Sequence, residues 1–405
     1  MLSNRLLMRK GRIEVTELYP TPYFLVYEQT LQQNIQDIAS ALDLMWPHAS
    51  IAYSVKTNAL PWILKWMNEN GVLAEVVSDD EYRLAKLCGF EDRRIVFNGP
   101  VKGEEMFSQA VQNDAYINLD SKGDLLRLKK NPPKSAERIG VRINIPPELF
   151  VEGDIGYQED GFRFGYSKEN GELLQVVQEL RELFCNARFG LHTHVNSVTR
   201  SPEVYRQTAR YVAGIIRAYS LEPAFIDVGG GFFGGVPGKP MPYEYIRAIR
   251  DELLSVVDPK KTKLIVEPGS AAIGSAVELH TTVIDVKDTA RARIVTTDGS
   301  RIHIDPLWRK KEYPFSTDAK GSPFSKQIVC GYTCMDHDRI MAIENGPELA
   351  EGDHIVYHRV GNYTITFGGP FIKGYPAVYA KKKDGSIVMI RKPMDMVEYY
   401  RLETC

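Results

Sequence analysis

The chain has 405 residues, with 50 Lys and Arg against 52 Asp and Glu and a formal net charge of −2, a balance that leaves no basic footprint for nucleic acid. With 43% hydrophobic and 10% aromatic residues it can bury a sizeable core, which excludes disorder over most of its length, and its size fits two or three domains. No apolar run reaches the roughly 18–20 residues of a bilayer-crossing helix, and the opening MLSNRLLMRKGRIEV lacks an apolar core of signal-peptide length, so a cytoplasmic protein is expected.

The first segment, GRIEVTELYPTPYF, is extended and proline-punctuated, and is expected to add a strand to a β domain later in the chain. Between about residues 22 and 275, short β-rich runs (YFLVY, SIAYSV, LAEVV, RIVFN, AYINLD, RIGVRINI, ARFGLHTHV, AFIDVGG, KLIVEPG) alternate with segments of helical spacing such as LQQNIQDIASALDLM and PEVYRQTARYVAGIIRAYS. Eight or so β-then-α repeats predict a (β/α)8 TIM-like barrel rather than an open sheet. From residue 276 the texture changes to strands separated by turn chemistry: VELHTTVIDVKDT, ARIVTTDGSRIHI, HIVYHRVGNYTITF and AVYAKKKDGSIVMIRK. These predict a mostly antiparallel β-sandwich or β-barrel domain. The expected division is 22–275 for the barrel and 1–21 plus 276–405 for the β domain.

Cys88, Cys185, Cys330, Cys334 and Cys405 are odd in number and widely spread, unlike a secreted disulfide framework. Cys330 and Cys334 have no second Cys/His pair at metal-ligand spacing nearby, so no structural zinc site is expected. Cys334 lies in the polar stretch GYTCMDHD rather than in an apolar one.

Lys56, in IAYSVKTNAL, is delivered at the C-terminal end of a barrel-type strand, where barrel enzymes assemble their sites. A lysine there can serve as a Schiff-base amine, although a lone lysine is more often simply solvated. Gly229, Gly230 and Gly231 follow the strand at Phe225–Val228, and successive glycines let backbone N–H groups approach a phosphate; a tight turn would also use them. Glu267, at the end of the largely apolar strand in IVEPGS, could hold a pyridine nitrogen protonated or be a paired structural carboxylate. His192 and His194 in GLHTHVNS share one strand face. They lack a third metal ligand at sensible spacing, so no metal is expected, and an imidazole stacked on a flat cofactor fits equally well.

Together TPYFLVY, AYSVKTN, AEVVSDDEYRLA, VRIN, FRFGYS, GLHTHVNS, DVGGGF, EPGS, GYTCMDHD, EGD and VGNYT run in an order that resembles the barrel-type (fold type III) pyridoxal-phosphate amino-acid decarboxylases, which include diaminopimelate and ornithine decarboxylases. The resemblance implies pyridoxal 5'-phosphate as cofactor and Lys56 as its Schiff-base lysine. It also implies His194 stacked on the cofactor ring, Glu267 on the pyridine nitrogen, and Ser197, Gly229–Gly231 and Tyr363 on the phosphate. Glu75 and Arg142 are implied as a supporting pair near the lysine. Cys334 resembles the family cysteine that reaches the site from a partner subunit and returns a proton after carbon dioxide leaves, which implies a homodimer with shared active sites.

Three departures bear on cofactor and substrate. Ser270 follows EPG where the family usually has arginine, so a positive charge at the phosphate is missing. Asn196 and Asn362 place amides in the VGS-like and GAY-like stretches. Met335 follows the cysteine where an acidic residue usually pairs with a substrate ammonium; Asp336, one residue on, is the candidate substrate contact that could substitute, although on an extended segment it would point to the opposite face. Arg309 and Tyr313 in DPLWRKKEYPF resemble the stretch that grips a distal carboxylate in diaminopimelate decarboxylases, although Arg309-Lys310-Lys311 also reads as a basic surface loop. The expected substrate is an amino acid with a distal carboxylate and no ordinary distal amine, such as a conjugate from a siderophore or antibiotic pathway. Diaminopimelate itself is the alternative; a racemase, or a non-catalytic decarboxylase-like binding protein, stands further off.

Overall fold

The computed structural model describes residues 19–185 and 187–403. Strand β1 (Tyr23–Tyr27) leads into α1 (Glu28–Met45), and eight parallel strands then close a barrel. These are β2 (Ala49–Ser54), β3 (Leu73–Val76), β4 (Ile95–Phe97), β5 (Tyr116–Leu119), β6 (Ile139–Arg142), β7 (Gly190–His192), β8 (Phe225–Asp227) and β9 (Lys263–Val266). Closure is made by β2 against β9, with Ala49 opposite Leu264. The outer helices are α2 (Pro61–Glu69), α3 (Asp79–Leu87), α4 (Glu104–Gln112), α5 (Lys122–Lys130), α6 (Glu172–Leu183), α7 (Pro202–Ala218) and α8 (Pro242–Leu253). Their boundaries follow ordinary capping rules: the Ser78 hydroxyl accepts the Glu81 N–H at 3.2 Å ahead of α3, and Pro202 occupies the first turn of α7. Along α7, Val204, Ala209, Val212 and Ile216 recur about once per turn and are buried.

The barrel interior has two layers of opposite character. The lower is apolar: Ala52, Leu73, Val96, Tyr116, Phe225 and Ile265 pack together. Phe225 fills the space where β6 and β7 carry Gly140 and Gly190; a Cβ on Gly190 would come 2.2 Å from the Phe225 ring. Side chains alternate along a strand, so the residues two positions on face the same interior, nearer the C-terminal mouth. They are Ser54, Glu75, Asn98, Asn118, Arg142, His192, Asp227 and Glu267, all buried. A ring of eight buried polar groups over an apolar plug is the platform on which the site stands.

The second sheet has nine strands, and β1 is one of them. Beyond α9 (Ser270–Ile273), β10 (Val277–Asp288) pairs antiparallel with β1 and β11 (Arg293–Thr297). The rest are β12 (Phe315–Thr317), β13 (Pro323–Cys330), β14 (Arg339–Pro347), β15 (His354–His358), β16 (Ala377–Lys381) and β17 (Ile387–Arg391). The order is β14-β13-β11-β10-β1-β16-β17, with β15 on β10 and β12 on β15; pairing is antiparallel except for β1 with β16 and β11 with β13. The expected barrel and mostly antiparallel β domain are both present.

Particular elements differ from expectation. YFLVY, counted with the barrel strands, pairs on both edges within the second sheet. The expected strand RIHI is a short helix, α10 (Arg301–Ile304), because the Ser300 hydroxyl caps Ile302 N–H. After VGN the chain turns at Tyr363 with φ +55° instead of continuing as a strand. A last helix, α11 (Met396–Glu403), follows β17. GRIEVTEL (11–18), where the added N-terminal strand was expected, and Cys405 lie outside the described residues. No helix among the described residues is long and apolar enough to cross a membrane.

Candidate active site

Lys56 stands in a single 3-10 turn, Val55–Thr57, directly after β2. Its Nζ donates to Glu75 Oε2 at 2.7 Å and to Ser54 Oγ at 2.7 Å, while Ser54 Oγ donates to the same carboxylate oxygen at 2.6 Å. Desolvation would lower the lysine pKa; the Glu75 carboxylate, then that of Glu267, outweighs it and holds the ammonium form. Asn98 Nδ2 bridges Glu75 Oε1 and Glu267 Oε1, and Asn118 Nδ2 donates to Asn98 Oδ1 at 2.8 Å and Asp227 Oδ2 at 3.2 Å. Burial, followed by the charges of Asp227 and Glu75, pushes the Glu267 carboxyl well up, and Asp227 rises to about 7, chiefly by burial. Both shifts favour the protonated form, so the Asp227–Glu267 pair is the place in the ring best suited to hold a proton.

His192 is buried with both ring nitrogens unbonded, and burial followed by the Arg142 charge keeps it neutral. Its ligand atoms lie within 4.8 Å of those of Asp227 and Glu267. The fold brings these two carboxylates, distant in sequence, to His192, while His194 is not part of the group. His194, beyond the strand end at the mouth, is kept neutral by desolvation and then by Arg142 and Lys56, and its Nδ1 accepts the Gly230 N–H at 3.3 Å.

The glycine turn packs against both β7 and β9. Asp227 Oδ1 accepts the Gly229 N–H at 3.0 Å, and Gly229 O accepts the Glu267 N–H at 2.7 Å. A Cβ on Gly230 would lie 2.0 Å from the Glu267 carbonyl, so close packing requires glycine whatever ligand is held. Tyr205 OH donates to Gly230 O at 3.0 Å. Tyr363 comes from the second domain: its N–H donates to Thr57 O at 2.8 Å, beside the lysine turn, and Asn58 Nδ2 donates to Gly361 O at 3.0 Å.

The chain matches the family model "Pyridoxal-dependent decarboxylase, pyridoxal binding domain" over residues 28–274. It belongs to the pyridoxal-dependent decarboxylases. The chain is 25% identical over 401 residues to the probable chloroplastic diaminopimelate decarboxylase of Oryza sativa, covering 94% of this chain and 79% of that one. It is 24% identical over 413 residues to the L-glutamyl-[BtrI acyl-carrier protein] decarboxylase of Niallia circulans, covering 95% of each. The crystal structure of diaminopimelate decarboxylase from M. jannaschii shares the fold, with a TM-score of 0.81 at 20% identity over 96% of this chain and 93% of that one.

The residues present fit the pyridoxal phosphate of this decarboxylase family. Lys56 offers an amine, the Asp227–Glu267 pair a place for a proton, and His194 a neutral flat ring. Both His192 nitrogens, in the ring of polar groups beneath the mouth, are buried without hydrogen-bond partners, as expected of a pocket built around a polar guest.

Other expected site residues stand elsewhere or are otherwise engaged. Ser197 Oγ donates to Asp154 O at 3.1 Å and accepts the Arg200 N–H at 2.8 Å, so its one proton is already in use. Arg142 forms its ion pair with Asp120, at 3.4 Å, rather than with Glu75. Cys334, Met335 and Asp336 lie in the β13–β14 connection of the second domain, with Cys334 and Asp336 exposed and Met335 half-buried. That connection is not extended, as expected, but folded: Met335 O accepts the Asp338 N–H at 2.9 Å, and the buried Asp338 carboxylate gathers Ser300, Thr333 and the Arg301 N–H. Arg309 is exposed, whereas Tyr313 is buried in edge contact with Tyr357, its hydroxyl unbonded.

Sequence reading missed Ser54, Asn98, Asn118 and Asp227. Each is a lone polar residue at the end of an apolar strand, two positions beyond a plug residue, and that period-two step was the signal that could have found them.

Proposed function

We propose that this decarboxylase removes the α-carboxylate of an amino acid that carries a second, distal carboxylate, with diaminopimelate as the first substrate to test. The observation that carries the reaction is Lys56 at a strand end, held between Ser54 and Glu75, with Asn98 linking Glu75 to Glu267. Bound pyridoxal phosphate supplies an electron-accepting ring for the loss of carbon dioxide. Lys56 is the amine that bonds to it, and Glu75 is placed to take the ammonium proton, directly or through the Ser54 hydroxyl that donates to it. Glu267, paired with Asp227, holds a proton for the ring nitrogen, while His194 presents a neutral ring. Gly229–Gly231 and Tyr363 are the proposed phosphate contacts, which Ser197 joins by turning its hydroxyl from Asp154 O to the phosphate, and Cys334 is the proposed proton donor from a partner subunit in a homodimer.

Diaminopimelate is supported by the names of the relatives from rice, Methanothermobacter and Aquifex. A second reading, a conjugated amino acid without a free distal ammonium, is favoured by Met335, since a methionine cannot neutralise an ammonium that has lost its water. The relative named for a carrier-bound glutamyl group is compatible with such a substrate class. Arg309 is the proposed anchor for the distal carboxylate in either case, and Tyr313 could join only if its packing against Tyr357 opened.

The test is carbon dioxide release and product mass from cofactor-loaded protein offered meso-diaminopimelate, ornithine, arginine, glutamate and carboxylate-bearing conjugates. Lysine from diaminopimelate supports the first reading. Turnover of a conjugate alone supports the second, and turnover of ornithine or arginine alone would remove the distal carboxylate.

A further inference from the structure

We propose that Arg200 supplies the positive charge that balances the cofactor phosphate at the Gly229–Gly231 turn. The inference rests on the pyridoxal-phosphate reading of this fold and adds a residue to it. A phosphate dianion set among backbone N–H groups needs a cation nearby, because neutral donors alone leave its charge uncompensated in a partly desolvated pocket. The position after Glu267-Pro268-Gly269 offers only the Ser270 hydroxyl.

Arg200 lies on the loop between β7 and α7, three residues after Ser197, whose hydroxyl accepts its N–H at 2.8 Å. Its guanidinium carbon is 5.3 Å from the ring centroid of Phe233, two residues beyond Gly231. Its carbonyl accepts the Tyr245 hydroxyl at 2.7 Å, and that hydroxyl in turn accepts the Phe233 N–H at 3.4 Å. One tyrosine thereby ties the arginine loop to the end of the glycine turn. The guanidinium also acts electrostatically on Tyr205, whose hydroxyl donates to Gly230 O at 3.0 Å: burial and then Tyr245 raise that phenol, and Arg200 opposes them.

The Arg200 backbone is in the left-handed region, φ +52°, a conformation uncommon for an arginine, and the Ser197 and Tyr245 hydrogen bonds hold it there. Two hydrogen bonds therefore fix the Arg200 backbone beside the turn, and the Phe233 ring holds its guanidinium near the turn's end. Lys239 also approaches Phe233, at 5.2 Å, and is the competing cation.

The experiment compares equilibrium binding of pyridoxal phosphate and of pyridoxal, which lacks the phosphate, to the full-length apo-protein. Variants are Arg200→Ala, Arg200→Lys, Lys239→Ala and the double change Arg200→Ala with Ser270→Arg. Arg200→Ala is expected to weaken pyridoxal phosphate binding roughly ten- to a hundredfold, the range of a lost charge-assisted contact, and to leave pyridoxal binding within about twofold. Arg200→Lys and the double variant should recover part of the loss. Equal weakening for both ligands would make Arg200 a loop-shaping residue and overturn the proposal. So would unchanged phosphate affinity, or a loss confined to Lys239→Ala. Failure of the unaltered chain to bind pyridoxal phosphate in the same titration would overturn the cofactor reading as well, and so separates the two.

Discussion

Lys56 Nζ and Glu75 Oε2 stand 2.7 Å apart on neighbouring barrel strands, with Ser54 Oγ hydrogen-bonded to both. The carboxylate favours the ammonium form, so an amine meant to attack a carbonyl is stored protonated beside the groups that can take its proton. Glu75→Gln removes that charge while keeping the shape, so the support for the ammonium form weakens and the lysine pKa falls. Amine-selective labelling of Lys56 in the apo-protein, followed by mass spectrometry at pH 8, should rise about tenfold or more, one pKa unit corresponding to a factor of ten. An unchanged labelling profile would remove Glu75 as the controlling charge.

Lys56 is on the barrel and Cys334 on an exposed connection of the second sheet. If the two complete one another's sites across a dimer, Lys56→Ala and Cys334→Ala chains are each impaired, yet a mixed dimer has one intact site. Co-expressed, differently tagged chains purified through both tags should recover up to about a quarter of the unaltered activity after the mixture re-equilibrates, and about half in isolated heterodimers. Verified heterodimers without recovery would place both residues in one subunit's site or take Cys334 out of the reaction.

The Asp227–Glu267 pair has a pH signature. Asp227 titrates at about 7 in the fold against an ordinary value of 3.8, and Glu267 is raised as well. The folded protein therefore holds more protons than the unfolded chain between about pH 4 and 7. This contribution to stability is full below the unfolded pKa values and is lost as pH rises through about 7. The melting temperature of the apo-protein should fall between pH 5 and pH 8 more steeply for the native sequence than for Asp227→Asn. Parallel curves would mean that the pair shares no proton.

The apolar plug beneath this ring depends on two missing side chains. Gly190 has no Cβ where one would come within 2.2 Å of Phe225. Gly190→Ala forces β7 or the aromatic ring to shift in a closed barrel and should cost about 1–3 kcal/mol, measured by urea unfolding. A smaller companion loss for Gly190→Ala in a Phe225→Leu background would identify the ring as the obstacle.

Much of this architecture was legible because the barrel strands are short, apolar and spaced by amphipathic helices; seven of its eight strands fall within runs identified from sequence, and β2 begins one residue before its run. The exception is YFLVY, whose composition says strand but cannot say which sheet: only pairing with β10 and β16, each more than two hundred positions away, decides that. RIHI has strand-like alternation over four residues, and one serine cap was enough to turn it into a helix. At the site, Lys56, Glu267 and the glycine run were visible because each interrupts an apolar strand end in a distinctive way. Asn98 was not, since an asparagine after a strand is ordinary turn chemistry until barrel closure points it at two carboxylates, nor was Asn118, a single polar residue inside β5 that meets Asn98 and Asp227 only once the barrel closes. Asp336 was assigned a direction on the assumption of extended chain, and the Met335–Asp338 turn removes the basis for it.

Substrate choice offers the sharpest remaining test. Met335 is half-buried in a turn held by the Asp338 carboxylate, so a side chain at this position can be exchanged without touching the barrel ring. If the natural substrate lacks a free distal ammonium, Met335→Glu adds a carboxylate where none is wanted. Conjugates should then lose and meso-diaminopimelate gain kcat/KM, a charge-assisted contact being worth roughly tenfold or more in the ratio. If diaminopimelate is the natural substrate, its ammonium is already accommodated elsewhere, and the same change should alter the ratio by less than about threefold. The size of the change in that ratio, with cofactor affinity shown to be unaltered, separates the two readings.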